Sequence, residues 1–224
     1  ADGTVQVATG GVLDLGNATQ VLDTLVLAGG TARGGMLQAT LADLRAGTLT
    51  ADLIGSGTLA KTTADEVFFN AAAGHTGGST VSGGTLRLGA AATLPASGAL
   101  QINTGGTLSL GDTQQTVGQF TLAGGSLVQG HLAASSFALQ DGSIGAQLTG
   151  AGAATKTTPG EVLLSGSNTH GGGTAVNAGT LRLAGGQALP DGGTVTVNTG
   201  ATLALGNSTE TVGTLVLAGG TVAG

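Results

Sequence analysis

The chain has no cysteine, tryptophan or tyrosine, only four phenylalanines and three prolines in 224 residues, and charged residues make up 8% of it. Without cysteine there are no disulfides, thiolate nucleophiles or cysteine-based zinc sites. Such a chain suits passage through an oxidising periplasm in the unfolded state, where thiols would cross-link. Six basic residues against twelve acidic ones leave a net charge of −6. With no basic stripe and almost no aromatic ring to stack on a base, nucleic acid is not an expected partner. No apolar run reaches the roughly 18 residues of a transmembrane helix, so no membrane insertion by this segment is expected. Ala1-Asp2-Gly3 has neither the basic nor the apolar region of a signal peptide. Export and anchoring parts, where the protein has them, are expected outside residues 1–224.

What the chain has instead is 45 glycines. They keep no three-residue period, which excludes collagen, and the content of Leu, Ile, Val and Phe is high enough for a buried core. The sequence also repeats itself. Thr85-Leu86-Arg87-Leu88 returns as Thr180-Leu181-Arg182-Leu183, Lys61-Thr62-Thr63 as Lys156-Thr157-Thr158, and Leu94-Pro95 as Leu189-Pro190. Leu27-Ala28-Gly29-Gly30 returns twice, at 122–125 and 217–220. Every offset is 95 residues, and 39 of the 95 positions in residues 1–95 are identical in residues 96–190 without a gap. The chain 1–224 is therefore one repetitive segment of two units, 1–95 and 96–190, and a partial third, 191–224.

Within a unit the pattern is that of short strands. Thr4-Val5-Gln6-Val7, Val12-Leu13-Asp14-Leu15 and Thr202-Leu203-Ala204-Leu205 alternate with period two, and Gly-Gly, Gly-Asn or Gly-Asp turns separate them. Leu37, Leu41 and Leu44 have helical spacing, but their counterparts Leu132, Ser136 and Leu139 break the stripe. The glycine-free stretch 58–73 maps onto a copy with Pro159-Gly160 inside it, which a helix would not tolerate. Strands are expected in both places. Gly-rich short strands with few large side chains suit a parallel β-helix better than a sandwich. At about 19–24 residues per coil the chain makes roughly nine to twelve coils, spanning about 45–55 Å. Leu13, Leu15, Leu86, Leu88, Leu108, Leu110, Leu181 and Leu183 are expected inward, with Leu86 and Leu181 equivalent.

The stretch from Glu161 to Leu183 contains Glu161-Val162-Leu163-Leu164-Ser165-Gly166-Ser167-Asn168-Thr169-His170, then Gly171-Gly172-Gly173-Thr174-Ala175-Val176-Asn177-Ala178-Gly179-Thr180-Leu181. It resembles the passenger-associated repeat of bacterial autotransporters: an apolar strand, Ser-Gly-x-Asn-Thr, a glycine turn, then Val-x-x-Gly-Thr-Leu. Glu66 to Leu88 matches more loosely, with Asn70-Ala71-Ala72-Ala73-Gly74 in place of the Ser-Gly-x-Asn-Thr part, and His75 and His170 stand where an aromatic is usual. The resemblance implies an all-β, right-handed parallel β-helix, exposed on or released from a Gram-negative cell. It also implies a role in secretion and stacking of the passenger, without catalytic residues.

Other motifs have plainer readings. Ile54-Gly55-Ser56-Gly57-Thr58-Leu59-Ala60 imitates a dinucleotide fingerprint, but no helix follows and the copy at 150–155 loses its last position. It is read as a corner between strands. Lys61 and Lys156 lack the glycine of a phosphate loop. Asp65-Glu66, an adjacent acidic pair, becomes Gly160-Glu161 in the next unit, so the scattered acids are read as solvated surface. Recurrence of Lys61/Lys156, Glu66/Glu161 and Arg87/Arg182 predicts a role in every unit, such as a surface ion pair or protection against edge pairing. His75, His131 and His170 have no metal-binding spacing, and the first and third are a whole unit apart. Asn17-Ala18-Thr19 and Asn207-Ser208-Thr209 fit the glycosylation pattern but are also what a turn requires. No catalytic, cofactor-binding or metal residue is assigned, and no cofactor is expected.

These readings converge on a non-enzymatic stalk of a secreted or cell-surface adhesin-like protein, located outside the cell or on the outer membrane. Its expected partners are neighbouring repeats, further copies of itself, or a host or bacterial surface ligand. A self-assembling extracellular filament is the alternative, and a carbohydrate-active β-helix enzyme a remote one. Unpaired strand edges at the first and last coils, the first guarded only by Asp2, are expected to associate head to tail.

Overall fold

The computed structural model describes residues 3–224, and Asp2 lies outside them. Among the described residues there is no helix, and all pairings between named strands are parallel. The chain winds as a parallel β-solenoid. On its first face the strand Thr4–Ala8 pairs with 24–28, which pairs with 41–44, and so on to Thr214–Ala218. A second face begins at Val12–Asp14 and ends at Thr221–Ala223. The third includes Gln114–Val117, His131–Ala134 and Gln147–Thr149.

Twelve rungs stack on the first face. Partners there are separated by 20, 17, 17, 20 and 21 residues, at Thr4/Thr24, Thr24/Leu41, Leu41/Thr58, Leu59/Ser79 and Ser79/Leu100. The same five steps then recur, at Ala99/Gln119, Phe120/Phe137, Phe137/Ala154, Ala154/Thr174 and Thr174/Val195. One 95-residue unit is thus five coils, and the stack of rungs spans about 53 Å at the strand spacing of parallel sheets. The 17-residue coils are shorter than the 19–24 expected. In them the strands Thr19–Arg33 and Met36–Leu49 run straight through corners between faces, and only the bend Gly34-Gly35 separates the two strands. The segment with helical leucine spacing is accordingly strand, with Leu37 and Leu44 fully buried and Leu41 turned half outward.

The recurring Leu-Ala-Gly-Gly makes such a corner. Gly29, Gly124 and Gly219 have φ of 104°, 106° and 86°, which a side chain rarely adopts. The glycine after each touches the coil below: a Cβ at Gly30 would stand 2.5 Å from Ala8 O, and one at Gly125 2.5 Å from Asn103 O. Gly57, in the imitation fingerprint, is tighter still, at 1.7 Å from Ala39 O. That motif is a corner where two coils touch.

Side chains stack inside as ladders. One ladder on the first face reads Leu27, Leu44, Lys61, Val81, Ile102 in one unit and Leu122, Leu139, Lys156, Val176, Val197 in the next. Leu86 and Leu181 are both fully buried, as are Leu108 and Leu110, with Leu88 and Leu183 nearly so. Leu13 and Leu15, in the lowest coil, are only partly buried against this core. Two members of the ladder are lysines, and they mark the part of each unit where buried polar groups collect.

Candidate functional site

In each unit that part extends from the lysine to the second-face strand Gly84–Leu88 or Gly179–Leu183. Lys61 closes the strand Thr58–Lys61, and Lys156 closes Ala153–Lys156. Period-two alternation points both side chains inward, and both are 0% exposed. Their stems pack in the aliphatic ladder while the ammonium reaches the corner. Lys61 Nζ donates to Thr63 O at 2.5 Å, to Thr63 Oγ1 at 3.4 Å and to Gly83 O, one coil up, at 3.0 Å. Lys156 Nζ donates to Thr158 O, to Thr158 Oγ1 at 3.1 Å and to Ala178 O at 3.4 Å. Each threonine hydroxyl in turn donates one coil down, to Arg45 O and Gln140 O. The pattern Lys-Thr-Thr is therefore a clamp across three coils, and the expectation of a surface role for these lysines is corrected. Burial lowers both ammonium pKa values; the carboxylates of Asp65 and Asp43 oppose this at Lys61, and Asp141 does so at Lys156.

The other recurring charges do face water. Arg87 pairs with Glu66 at 3.0 Å and lies 4.4 Å from the centre of the Phe68 ring, and Arg182 approaches Glu161 at 3.7 Å. Asp65 and Glu66 are both exposed and take separate roles: Glu66 holds Arg87, while the main-chain oxygen of Asp65 receives the Thr85 N–H at 3.3 Å. Among the described residues no three of His, Asp and Glu gather closely enough to hold a metal ion.

His75 and His170 are buried, whereas His131 is half exposed. His75 Nε2 donates to Gly78 O and also lies 3.2 Å from Ser79 Oγ; His170 Nε2 lies 3.1 Å from Thr174 Oγ1. The buried Nδ1 atoms of both rings have no protein partner. The His170 ring tilts against Phe137 at 5.8 Å, and Phe137 meets Phe120 edge-on at 6.3 Å. The histidine thus occupies an aromatic place in the core. Burial holds it neutral and pushes its pKa down to about 4; burial lowers that of His75 as well, with the Gly78 hydrogen bond opposing.

Sequence reasoning did not single out Asn168, Gln115 or Glu210 as structural polar groups. Asn168 Oδ1 accepts the Leu148 N–H of the coil below, and its Nδ2 donates to Ala188 O of the coil above, both at 2.7 Å. In the first unit its counterpart is Ala73, and the main chain does this work: Leu53 N–H donates to Ala72 O at 2.9 Å and Ala73 N–H to Thr93 O at 3.0 Å. This is why Asn70–Gly74 departs from the pattern at 165–169 without breaking the stack. Gln115 Oε1 accepts the Leu94 N–H at 2.8 Å. Glu210, 95 residues on, accepts from Ala188 and Leu189 at 3.0 and 3.1 Å. The recurrence of Gln115 as Glu210 was the signal that would have found those two, whereas Asn168, with Ala73 as its counterpart, left none. A groove of about 460 Å³ passes His170 between Gln147, Asn168 and Asp191.

Lys156, Asn168, His75 and His170 lie where the chain matches a known family, and Lys61, Gln115 and Glu210 lie outside those stretches. Residues 67–88 and 155–183 match the passenger-associated-transport-repeat model. Comparison with curated proteins and with solved structures finds no match. The two repeat matches and the parallel β-solenoid fit an autotransporter passenger repeat.

Proposed function

We propose that the chain is a non-enzymatic stalk segment of a secreted or surface-anchored autotransporter-type protein, which extends an adhesive surface away from the cell and assists its own export. The observation that carries this reading is the uninterrupted stack of twelve rungs built from one five-coil unit. Each coil touches only its neighbours, so the solenoid can grow rung by rung as the chain emerges, and folding outside resists backward movement. Buried polar links such as Asn168 and the lysine clamps tie successive coils together along the way.

The adhesive part rests on the first face. Its outward column begins on a lower coil at Asp43, which is paired with Arg45, and from there up Ala60, Thr80, Gln101, Thr121, Ala138 and Thr155 follow the strand register without a charge. Uncharged from Ala60 upward and hydrogen-bonding, it suits a host or bacterial surface ligand or another copy of the chain. Location outside the cell, on or released from the outer membrane, follows from the same reading.

The test is surface display. Residues 1–224 are placed between a signal peptide and an outer-membrane β-barrel, and exposure to added protease and cell adhesion are measured. Display with more adhesion than the barrel alone is expected. Deletion of 96–190 should shorten the stack by about 24 Å, five strand spacings, and still permit display. Adhesion equal to that of the bare barrel would leave only a spacer. A variant with Asp65 and Glu66 both changed to Ala should adhere like the parent. If the parent cleaves a polysaccharide and that variant does not, the protein is instead a carbohydrate-active enzyme.

A further inference from the structure

We propose that Lys61 and Lys156 are register keys, one per five-coil unit, which admit a single alignment of their strand against its neighbours and reject slipped ones. The need for a key follows from the ladder. A strand displaced by one residue turns its apolar side chains to solvent, but one displaced by two keeps its alternation. Lys61 stands between Leu44 and Val81, and Lys156 between Leu139 and Val176, in a column otherwise of Leu, Val and Ile. Aliphatic side chains of similar size discriminate poorly between two such alignments.

An ammonium group discriminates well. In the native alignment each Nζ lies at a corner, where Thr63 O and Gly83 O, or Thr158 O and Ala178 O, belong to residues outside the strands. Toward the middle of the sheet the carbonyls are already engaged with the next rung. The threonine two residues on moves with the lysine, but Gly83 O and Ala178 O belong to the coil above, so a two-residue slip either way carries the ammonium away from that carbonyl. A buried cation short of an acceptor costs more than a displaced leucine.

The threonine two residues on extends the key. Its carbonyl and hydroxyl receive the ammonium, and its hydroxyl grips the coil below at Arg45 or Gln140. Three coils must be in place for the full set of bonds. What surrounds the two clamps differs, Asp65 against Gly160 and Gly83 against Ala178, while lysine and threonine keep their places. A buried charge is a weak source of stability, since well-packed apolar residues often replace it without loss, and at these two positions its role is to specify the register.

The cysteine-free chain makes the test direct, because any engineered pair is unique. Ala60 and Thr80 are outward partners in the native register. A pair of cysteines there can form a disulfide, whereas Thr62 with Thr80, or Thr58 with Thr80, can do so only after a two-residue slip. Each pair is introduced into the full chain with Lys61 present and with Lys61→Met, then unfolded, refolded and oxidised. Thr155 with Ala175, against Thr157 or Ala153 with Ala175, serves the same purpose for Lys156→Met. With lysine present, only the in-register pair is expected to cross-link. Methionine should raise the slipped cross-links several-fold while the melting midpoint stays equal to the parent's or rises. Methionine variants that refold with in-register cross-links alone would overturn the proposal. So would failure of both Lys61→Met and Lys156→Met to fold even with a stabilising osmolyte, since the lysines would then act through stability.

Discussion

Asn168 accepts the main-chain N–H of Leu148 through Oδ1 at 2.7 Å, one coil below its own. With the bond from its Nδ2 to Ala188 O, a single side-chain amide substitutes for a stretch of strand between two coils. Asn168→Ala strips partners from one buried donor and one buried acceptor. It is expected to cost about 3 kcal/mol, measured by denaturant unfolding. Ala73→Asn, at the equivalent place, gains no such bond because Ala72 O already holds the Leu53 N–H. Equal loss in both variants would count against the bridging role.

Acid should weaken the solenoid through His170. The unfolded chain takes up a proton near pH 6.5, while the buried ring in the folded chain does so only near pH 4. Acid therefore favours the unfolded chain across that window, and the contribution of a neutral His170 falls by about 3 kcal/mol from pH 7 to pH 4. His75, also lowered, acts in the same direction. Unfolding free energies of the parent and of His170→Leu, measured from pH 7 to pH 4, should show the parent losing about 3 kcal/mol relative to the variant as the pH falls. Parallel curves would show that the histidine titrates alike in both states.

The corner glycines should separate sharply under substitution. A Cβ on Gly57 would meet Ala39 O at 1.7 Å, while one on Gly192 meets nothing within 4 Å. Gly57→Ala is expected to cost about 3 kcal/mol or prevent folding, and Gly192→Ala to change stability by less than about 0.5 kcal/mol. Thermal unfolding of the two variants beside the parent decides this.

A polypeptide of these 224 residues should self-associate through its last described rung. Leu215 and Leu217 are 45% and 54% exposed, although Val195 and Val197, their partners one coil below, are 1% and 0% exposed. Among the described residues the strand Thr214–Ala218 has no partner on its outer edge. Light scattering over a concentration series should show growth in size, and Leu215→Lys with Val222→Lys should suppress it. A parent that stays monomeric and matches the variant would show that the edge does not attract a partner.

Much of this architecture was legible in the sequence because it depends on period. Two-residue alternation, glycine punctuation and the ungapped 95-residue repeat determine short parallel strands in equivalent coils, and they place Leu86 and Leu181 inward without reference to anything distant. The surface pairs Glu66–Arg87 and Glu161–Arg182 were visible in the same way, as recurring opposite charges. Coil length was not, because a 17-residue coil arises only when glycine corners let one strand pass through two faces. Nor was the place of Lys61 and Lys156. Composition assigns lysine to water, and only the stacking of coils supplied carbonyls from its own corner and the next coil to receive each ammonium. Asn168, Gln115 and Glu210 owe their roles to the same cause: each bonds main-chain groups about 20 residues away, brought within 3.1 Å by one turn of the solenoid.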